Sequence, residues 1–119
     1  MNIPIFKLLN ADDVVTSLLG KDDALRVWRD RPSDQPIYPY VTWSLVGGEP
    51  INHVDEPALD DDLVIRIDVY AKTEDERDIV YRAVRNVLKH HCLIIGFNPV
   101  GAEHNSYRES FNTAWLIEA

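Results

Sequence analysis

The 119-residue sequence has little cysteine, little glycine and no long apolar run. Its single cysteine excludes an internal disulfide framework and is typical of a protein made in a reducing compartment. Its five glycines include one adjacent pair, Gly47-Gly48, which Glu49 follows, so the chain lacks a glycine-rich phosphate-binding loop. No stretch approaches the ~20 apolar residues of a membrane-spanning helix. Met1 to Leu9 lack the charged start and cleavage site of an export signal. We therefore expect a cytoplasmic protein with no membrane partner.

Basic residues are also scarce relative to acidic ones. Twelve Lys and Arg stand against 20 Asp and Glu, a net charge of −8, which argues against sequence-independent binding of nucleic acid. The composition is otherwise that of an ordinary globular protein, with 45% apolar and 27% charged residues. The length predicts one domain over residues 1–119, with room for one core but hardly for a deep enclosed active site as well.

The N-terminal segment has the periodicity and punctuation of helix. Pro4 suits the first turn of a helix, Asn10 is the expected cap of a second helical stretch, and Gly20 is its expected stop. Whether residues 4–19 form one kinked helix or two short ones is left open by the sequence.

The clearest helix runs from about Glu74 to His90. Thr73 and Glu76 have the spacing of a capping box, which predicts the start of this helix. Its apolar stripe consists of Ile79, Val80, Ala83, Val84, Val87 and Leu88.

Five further segments alternate between apolar and polar residues and predict strands. They are Leu25–Asp30, Tyr40–Val46, Leu63–Ala71, Leu93–Phe97 and Tyr107–Ile117. With the helices, they predict an α+β fold: a mainly antiparallel sheet of about four to five strands, with two helices packed on one face.

Some strand positions that should face away from the core are apolar. Trp28, Val46, Tyr70 and Leu116 have no obvious place in one small core. Irregular packing is one explanation. The other is a subunit or partner interface made by Trp28, Tyr70 and Leu116.

No residue pattern predicts catalysis, a metal site or a cofactor. His90, His91 and Cys92 are of types that ligate zinc, but adjacent residues at a helix end point in different directions. Histidines that cap the helix and a buried cysteine explain this run better than a metal site or a nucleophile does. The serines lack the context of a nucleophile elbow.

An acidic segment without Lys or Arg, from Glu49 to Asp62, is unusual. Long connections in small domains are usually functional or disordered, and we expect a loop here. Its acidic residues are Glu49, Asp55, Glu56, Asp60, Asp61 and Asp62, which leave 12 basic and 14 acidic residues elsewhere. A solvated hairpin tip, a divalent-ion site at the three consecutive aspartates and a surface that faces a polyanion all remain open.

The order of these features resembles the tail-completion proteins of long-tailed bacteriophages and prophages, also called tail terminators or head–tail joining proteins. The likeness rests on the helical segment Ile5–Gly20, the strand near Val27–Arg31, the Pro39-Tyr40-Val41 strand start, and Ile67–Lys72 followed directly by the amphipathic helix. It covers most of the chain to about residue 90. Its motifs are structural and not catalytic.

The resemblance implies a structural virion protein that caps the head-proximal end of the tail tube as a ring of six copies. Its partners would then be further copies of itself, the tail tube protein and the head connector or head-completion protein, with DNA passing through unbound. It would be made in the host bacterial cytoplasm and reside in the tail or neck. The acidic segment would face the channel, where it would repel DNA. Two other classes remain: a small non-enzymatic α+β adaptor module of the bacterial cytoplasm, and an enzyme whose site forms only between subunits.

Overall fold

The residues that the structure describes form three α-helices, a single-turn helix and five strands. The computed structural model describes residues 3–33, 36–53, 56–103 and 106–118, with the side chains of all of these except 48–53, 56–62, 97–103 and 116–118. The elements are α1 (Ile5–Asn10), α2 (Asp13–Leu19), a 3-10 turn (Asp22–Ala24), β1 (Val27–Arg29), β2 (Tyr40–His53), β3 (Glu56–Ala71), α3 (Glu74–Leu88), β4 (Leu93–Glu103) and β5 (Ser106–Glu118).

The strands form one mixed sheet in the order β1-β2-β3-β5-β4. β1 runs parallel to β2, and every other neighbouring pair is antiparallel. The helices pack on one face of this sheet, with α3 across β3 and β5 and with α1 and α2 against α3. The predicted α+β class is confirmed. The sequence does not predict that β1 runs parallel to β2, because no local pattern indicates the direction in which two strands pair.

The core lies between the sheet and the helices. Alternate residues of β3 face it and are fully or almost fully buried: Leu63, Ile65, Ile67, Val69 and Ala71. From the other side, α3 contributes Val80, Ala83, Val84 and Leu88, while α1 and α2 contribute Ile5, Leu9, Val15 and Leu19. These are the positions at which the helical and strand periodicities place apolar residues.

The N-terminal segment forms two short helices rather than one. Asp12 caps α2 by accepting a hydrogen bond from the backbone N–H of Val15 at 3.0 Å. The prediction that Asn10 is this cap is therefore wrong: its side chain instead accepts a hydrogen bond from the N–H of Asp22 at 2.7 Å. Gly20 ends α2 as predicted, at a φ of 91° that favours glycine.

The predicted capping residues are found at the start of α3. The Thr73 hydroxyl accepts a hydrogen bond from the N–H of Glu76 at 3.1 Å, and the Glu76 carboxylate accepts one from the N–H of Lys72 at 3.3 Å. This arrangement starts the helix directly after β3.

The prediction of a loop between Glu49 and Asp62 is wrong. β2 continues to His53, β3 begins at Glu56, and the two strands pair as far as the His53–Glu56 position. Asp55 lies outside the described residues. Backbone pairing does not require apolar side chains, so strands can extend past the core where the composition predicts a loop.

The long strands give the molecule an elongated shape, with principal extents of 52 × 28 × 26 Å. A strand of 16 residues, the length of β3, spans about 53 Å. One end of the sheet carries the helices, and the other consists of the acidic parts of β2 and β3 with the end of β5.

Candidate functional site

The sheet face opposite the helices, called the open face below, carries an aromatic ladder made of Trp28, Tyr38, Tyr40 and Tyr70. Tyr40 and Tyr70 are directly opposite in the β2–β3 register, and their rings stack with centroids 4.7 Å apart. Trp28 meets Tyr40 edge-on at 5.9 Å, and Tyr38 meets Tyr40 at 5.2 Å. Tyr40 is consequently buried although the described helices all pack on the opposite face. The ladder is therefore a preformed aromatic surface.

Cations lie against both ends of the ladder. The Nζ atom of Lys72 is 4.6 Å from the centre of the Tyr38 ring, and the guanidinium carbon of Arg108 is 5.8 Å from that of Tyr70. Burial, followed by the neighbouring Tyr38 and Tyr70 hydroxyls, raises the pKa of Tyr40 to about 12. The phenol at the centre of the ladder therefore stays neutral at physiological pH.

Asp68 is the ionic centre of the open face. Its side chain is only 4% exposed, and its two oxygens lie 3.0 Å from Nε of Arg66 and 3.5 Å from Nε of Arg108. A buried carboxylate requires such partners, because an unpaired charge would cost several kcal/mol. Asp68 thereby holds Arg108 beside Tyr70.

The structure brings two of the predicted interface residues together. Trp28 and Tyr70 lie on the same face and are joined through Tyr40. Leu116 pairs with Asp62 on β3, eight residues along the strand from Tyr70 and hence about 26 Å away. Its side chain lies outside the described ones.

The acidic residues are placed at the other end of the sheet. Glu49 pairs with Asp62, Pro50 with Asp61 and Ile51 with Asp60. Asp60 also pairs with Glu118 on β5, so acidic residues occupy opposing positions on three adjacent strands. Like charges at opposing positions repel each other, which makes this end of the sheet strongly negative.

The run from His90 to Cys92 provides no reactive centre. The Cys92 thiol donates a hydrogen bond to the carbonyl of Leu88 at 3.2 Å, and burial raises its pKa to about 11. Among the described residues, no three His, Cys, Asp or Glu side chains are grouped so that they could hold a metal ion. No helix in the described part of the chain is long and apolar enough to cross a membrane.

Sequence reasoning missed Tyr38, Tyr40, Arg66, Asp68 and Arg108 as members of the open-face site. The alternation along Leu63–Ala71 places Arg66 and Asp68 among its outward-facing polar residues, where solvent exposure is the ordinary expectation, and Tyr38 lies in a proline-rich stretch. A usable signal is the repetition of tyrosine at outward positions of two consecutive strands, at Tyr40 and Tyr70.

A comparison with solved structures finds a similar fold. The chain is similar to a chain in the virion of a native gene transfer agent particle, with a TM-score of 0.71 and 17% identity over 97% of this chain and 92% of the other. At that identity the likeness concerns the fold. The search of curated proteins returned no match.

The profile of one protein family, "Tail completion protein gp17", matches residues 3–110. That range includes the helices, the aromatic ladder, Asp68 and its arginines. The chain therefore belongs to the tail completion protein gp17 family, and it is a structural protein of the virion and not an enzyme.

Proposed function

We propose that this protein caps the head-proximal end of a phage tail tube and joins the tube to the head connector, and that it does so as a ring of six copies. Its partners are then its own neighbours in the ring, the tail tube protein and the connector or head-completion protein. Family membership supports the virion role over that of a cytoplasmic adaptor.

The observation that carries this proposal is the aromatic ladder on the open face. Tyrosine, tryptophan and arginine are enriched at protein interfaces, where they provide large contact areas at low entropic cost. The ladder residues already restrain each other, since Tyr40 contacts three other rings. We assign Trp28 and Tyr70 to a contact with a neighbouring subunit or partner, and Leu116 to a second contact at the acidic end of the sheet.

The acidic end fits a channel through which DNA passes. We assign Glu49, Asp55, Glu56, Asp60, Asp61 and Asp62 to the wall of this channel. These residues supply six of the negative charges in a chain whose net charge is −8. A wall of the same sign as DNA lets the duplex pass without binding it, because no phosphate is neutralised there.

The ring is tested by measuring the mass of the purified protein by light scattering, with negative-stain imaging, alone and after addition of isolated tail tubes. A six-copy ring with an open centre, either free or at one end of the tubes, is the expected result. A compact dimer that forms no ring and leaves the tubes bare would overturn the proposal and favour the adaptor.

The channel is tested by the triple change Asp60→Asn, Asp61→Asn and Asp62→Asn. We expect rings that assemble normally but particles that deliver DNA more slowly. The matched control is Asp13→Asn, Asp23→Asn and Asp30→Asn, which makes the same charge change at exposed positions away from the acidic end. Delivery at the normal rate by the first variant would count against a channel position.

A further inference from the structure

Among the described residues, the sheet has an edge on each side that no further strand covers completely. β4 is the outermost strand on one side, while on the other side β1 covers β2 only from Val41 to Trp43. Beyond Trp43, no strand in the described part of the chain pairs with the outer edge of β2. Edge strands expose free N–H and C=O groups that pair readily with another chain, and soluble proteins usually protect them with charge or proline.

Residues 45–46 of β2 and 93–95 of β4 carry apolar side chains instead, whereas Pro50 of β2 and Pro99 of β4 lie further along each strand. On β2, Leu45 is 43% and Val46 is 56% exposed, and on β4, Leu93 is 66% and Ile95 is 48% exposed. We call these pairs the β2 edge patch (Leu45 and Val46) and the β4 edge patch (Leu93 and Ile95). Half of the exposed large hydrophobic residues in the described part of the chain lie in these two patches.

The two patches lie on opposite edges of the sheet and at the same height, that is, at the same position along the strand direction. The register runs straight across from Leu45 through Ile65 and Thr113 to Ile94. A register shift follows Leu45 on β2, and another follows Ile94 on β4, so Val46 and Ile95 both lie beside this row.

The strand directions suit pairing between copies. β2, β3, β5 and β4 alternate in direction, so β2 and β4 run opposite to each other. A second copy rotated about an axis along the strands places its β2 antiparallel to the β4 of the first. Because the patches share one height, the contact repeats without a shift along the axis, as a closed ring requires.

We propose that copies of this chain join head-to-tail through these edges, with the β2 edge patch of one copy packed against the β4 edge patch of the next. This inference rests on the proposed ring and names the surface that holds it together. The paired stretch is short, because β1 begins to occupy the edge at Trp43. A register shift between Ile94 and Gly96 also makes the pairing along β4 irregular there.

Charge complementarity favours a second copy of this chain as the partner that binds these edges. Lys89, His90 and His91 directly precede β4. In the proposed pairing Leu93 stands level with Gly47, so Lys89 approaches the row of the neighbouring copy that holds Glu49. Opposite charges at the two ends of one contact steer the copies into register.

The size of the resulting ring agrees with an open centre. Five strands spaced ~4.8 Å apart give each copy a width of about 24 Å. Six such widths make a circle about 46 Å across at the level of the sheet.

Single-cysteine variants test the contact directly. Leu45→Cys and Leu93→Cys are each made in a Cys92→Ser background, assembled with tail tubes separately or as an equal mixture, and treated with a short bismaleimide. We expect covalent dimers only in the mixture, at up to about a quarter of the junctions, because each head-to-tail junction joins the two different edges. Val14→Cys with Ile79→Cys is the matched control, since these side chains are as exposed but lie on helices.

Each other result overturns the inference in a recognisable way. Dimers of either variant alone would show a two-fold contact between like edges. Tube-end assembly without cross-links in the mixture would show that another surface joins the copies, and would leave the proposed function intact. Failure to assemble with tubes at all, by these variants and by the unmodified chain, would overturn the proposed function as well.

A charge placed in one patch gives an independent measurement. Leu93→Asp should leave the far-UV circular dichroism spectrum unchanged but prevent ring formation, whereas Val14→Asp should assemble normally. Normal rings from Leu93→Asp would contradict the edge contact.

Discussion

Replacing Asp68 by Asn removes the charge at the centre of the open face while keeping the shape of the side chain. The Asp68 carboxylate lies 3.0 Å from Nε of Arg66 and 3.5 Å from Nε of Arg108. The side chains of these arginines are 46% and 24% exposed, whereas that of Asp68 is 4% exposed. The substitution therefore leaves two cations without their carboxylate, one of them largely shielded from water.

The expected cost follows from these distances and exposures. A hydrogen bond to a charged group contributes about 1.5–3 kcal/mol when buried, and an exposed ion pair contributes less than about 1 kcal/mol. The Arg66 contact is short but half exposed, and the Arg108 contact is more buried but longer. We expect Asp68→Asn to lower the free energy of unfolding by about 2 kcal/mol, which corresponds to a fall in Tm of roughly 6–12 °C.

Thermal unfolding followed by far-UV circular dichroism measures this change. Asp23→Asn is the control, since Asp23 is exposed and its substitution should leave Tm unchanged. Double-mutant cycles with Arg66→Gln and Arg108→Gln then divide the effect between the two partners. A Tm for Asp68→Asn within about 2 °C of the unmodified protein would refute the assignment of Asp68 as the ionic centre.

Three further predictions concern buried polar groups. Thr113 donates a hydrogen bond to the carbonyl of Ile65 and accepts one from Nε1 of Trp115 at 2.7 Å, so Thr113→Val should cost about 2 kcal/mol in urea unfolding. Thr113→Ser keeps the hydroxyl and should cost about half of that; equal losses would contradict the role of the hydroxyl. Burial raises the pKa of Glu109 above its unfolded value, so its ionisation costs stability as pH rises through the folded pKa. Glu109→Gln should therefore raise Tm at pH 7, with the gain vanishing below about pH 4; a gain of the same size at both pH values would point to packing. The half-buried Cys92 thiol, whose pKa is raised to about 11, should react with iodoacetamide at pH 8 far more slowly than free cysteine, and equal rates would contradict the raised pKa.

The sequence predicts best those elements whose signals are local. The Thr73–Glu76 capping pair and the apolar stripe behind it predict the start and buried face of α3. The alternation of Leu63, Ile65 and Ile67 likewise predicts the inner face of β3. In both cases the residues that set the structure lie within a few positions of one another.

The errors occur where the deciding partner is distant in sequence. The extension of β2 and β3 past the core depends on pairing between strands, and acidic residues at Asp60 to Asp62 give no sign of it. The choice of Asp12 over Asn10 as the cap of α2 depends on the contact of Asn10 with Asp22.

The candidate site shows the same division between local and distant signals. Trp28 and Tyr70 were predicted as surplus outward aromatics, and the structure joins them through Tyr40. The burial of Asp68 depends on Arg108, which is 40 residues away in the sequence, so no local pattern indicates it.

Because of the position of β5, the sheet can form completely only when synthesis of the chain is almost finished. β5 follows β4 in the chain but lies between β3 and β4 in the sheet. While the ribosome is still making β4, that strand has no neighbour to pair with, and one long edge of β3 stays open. A chain interrupted before Ser106 lacks both the central partner and the Phe111 side chain that fills the core. We therefore expect a prematurely terminated chain not to fold, because it can complete neither the sheet nor the core.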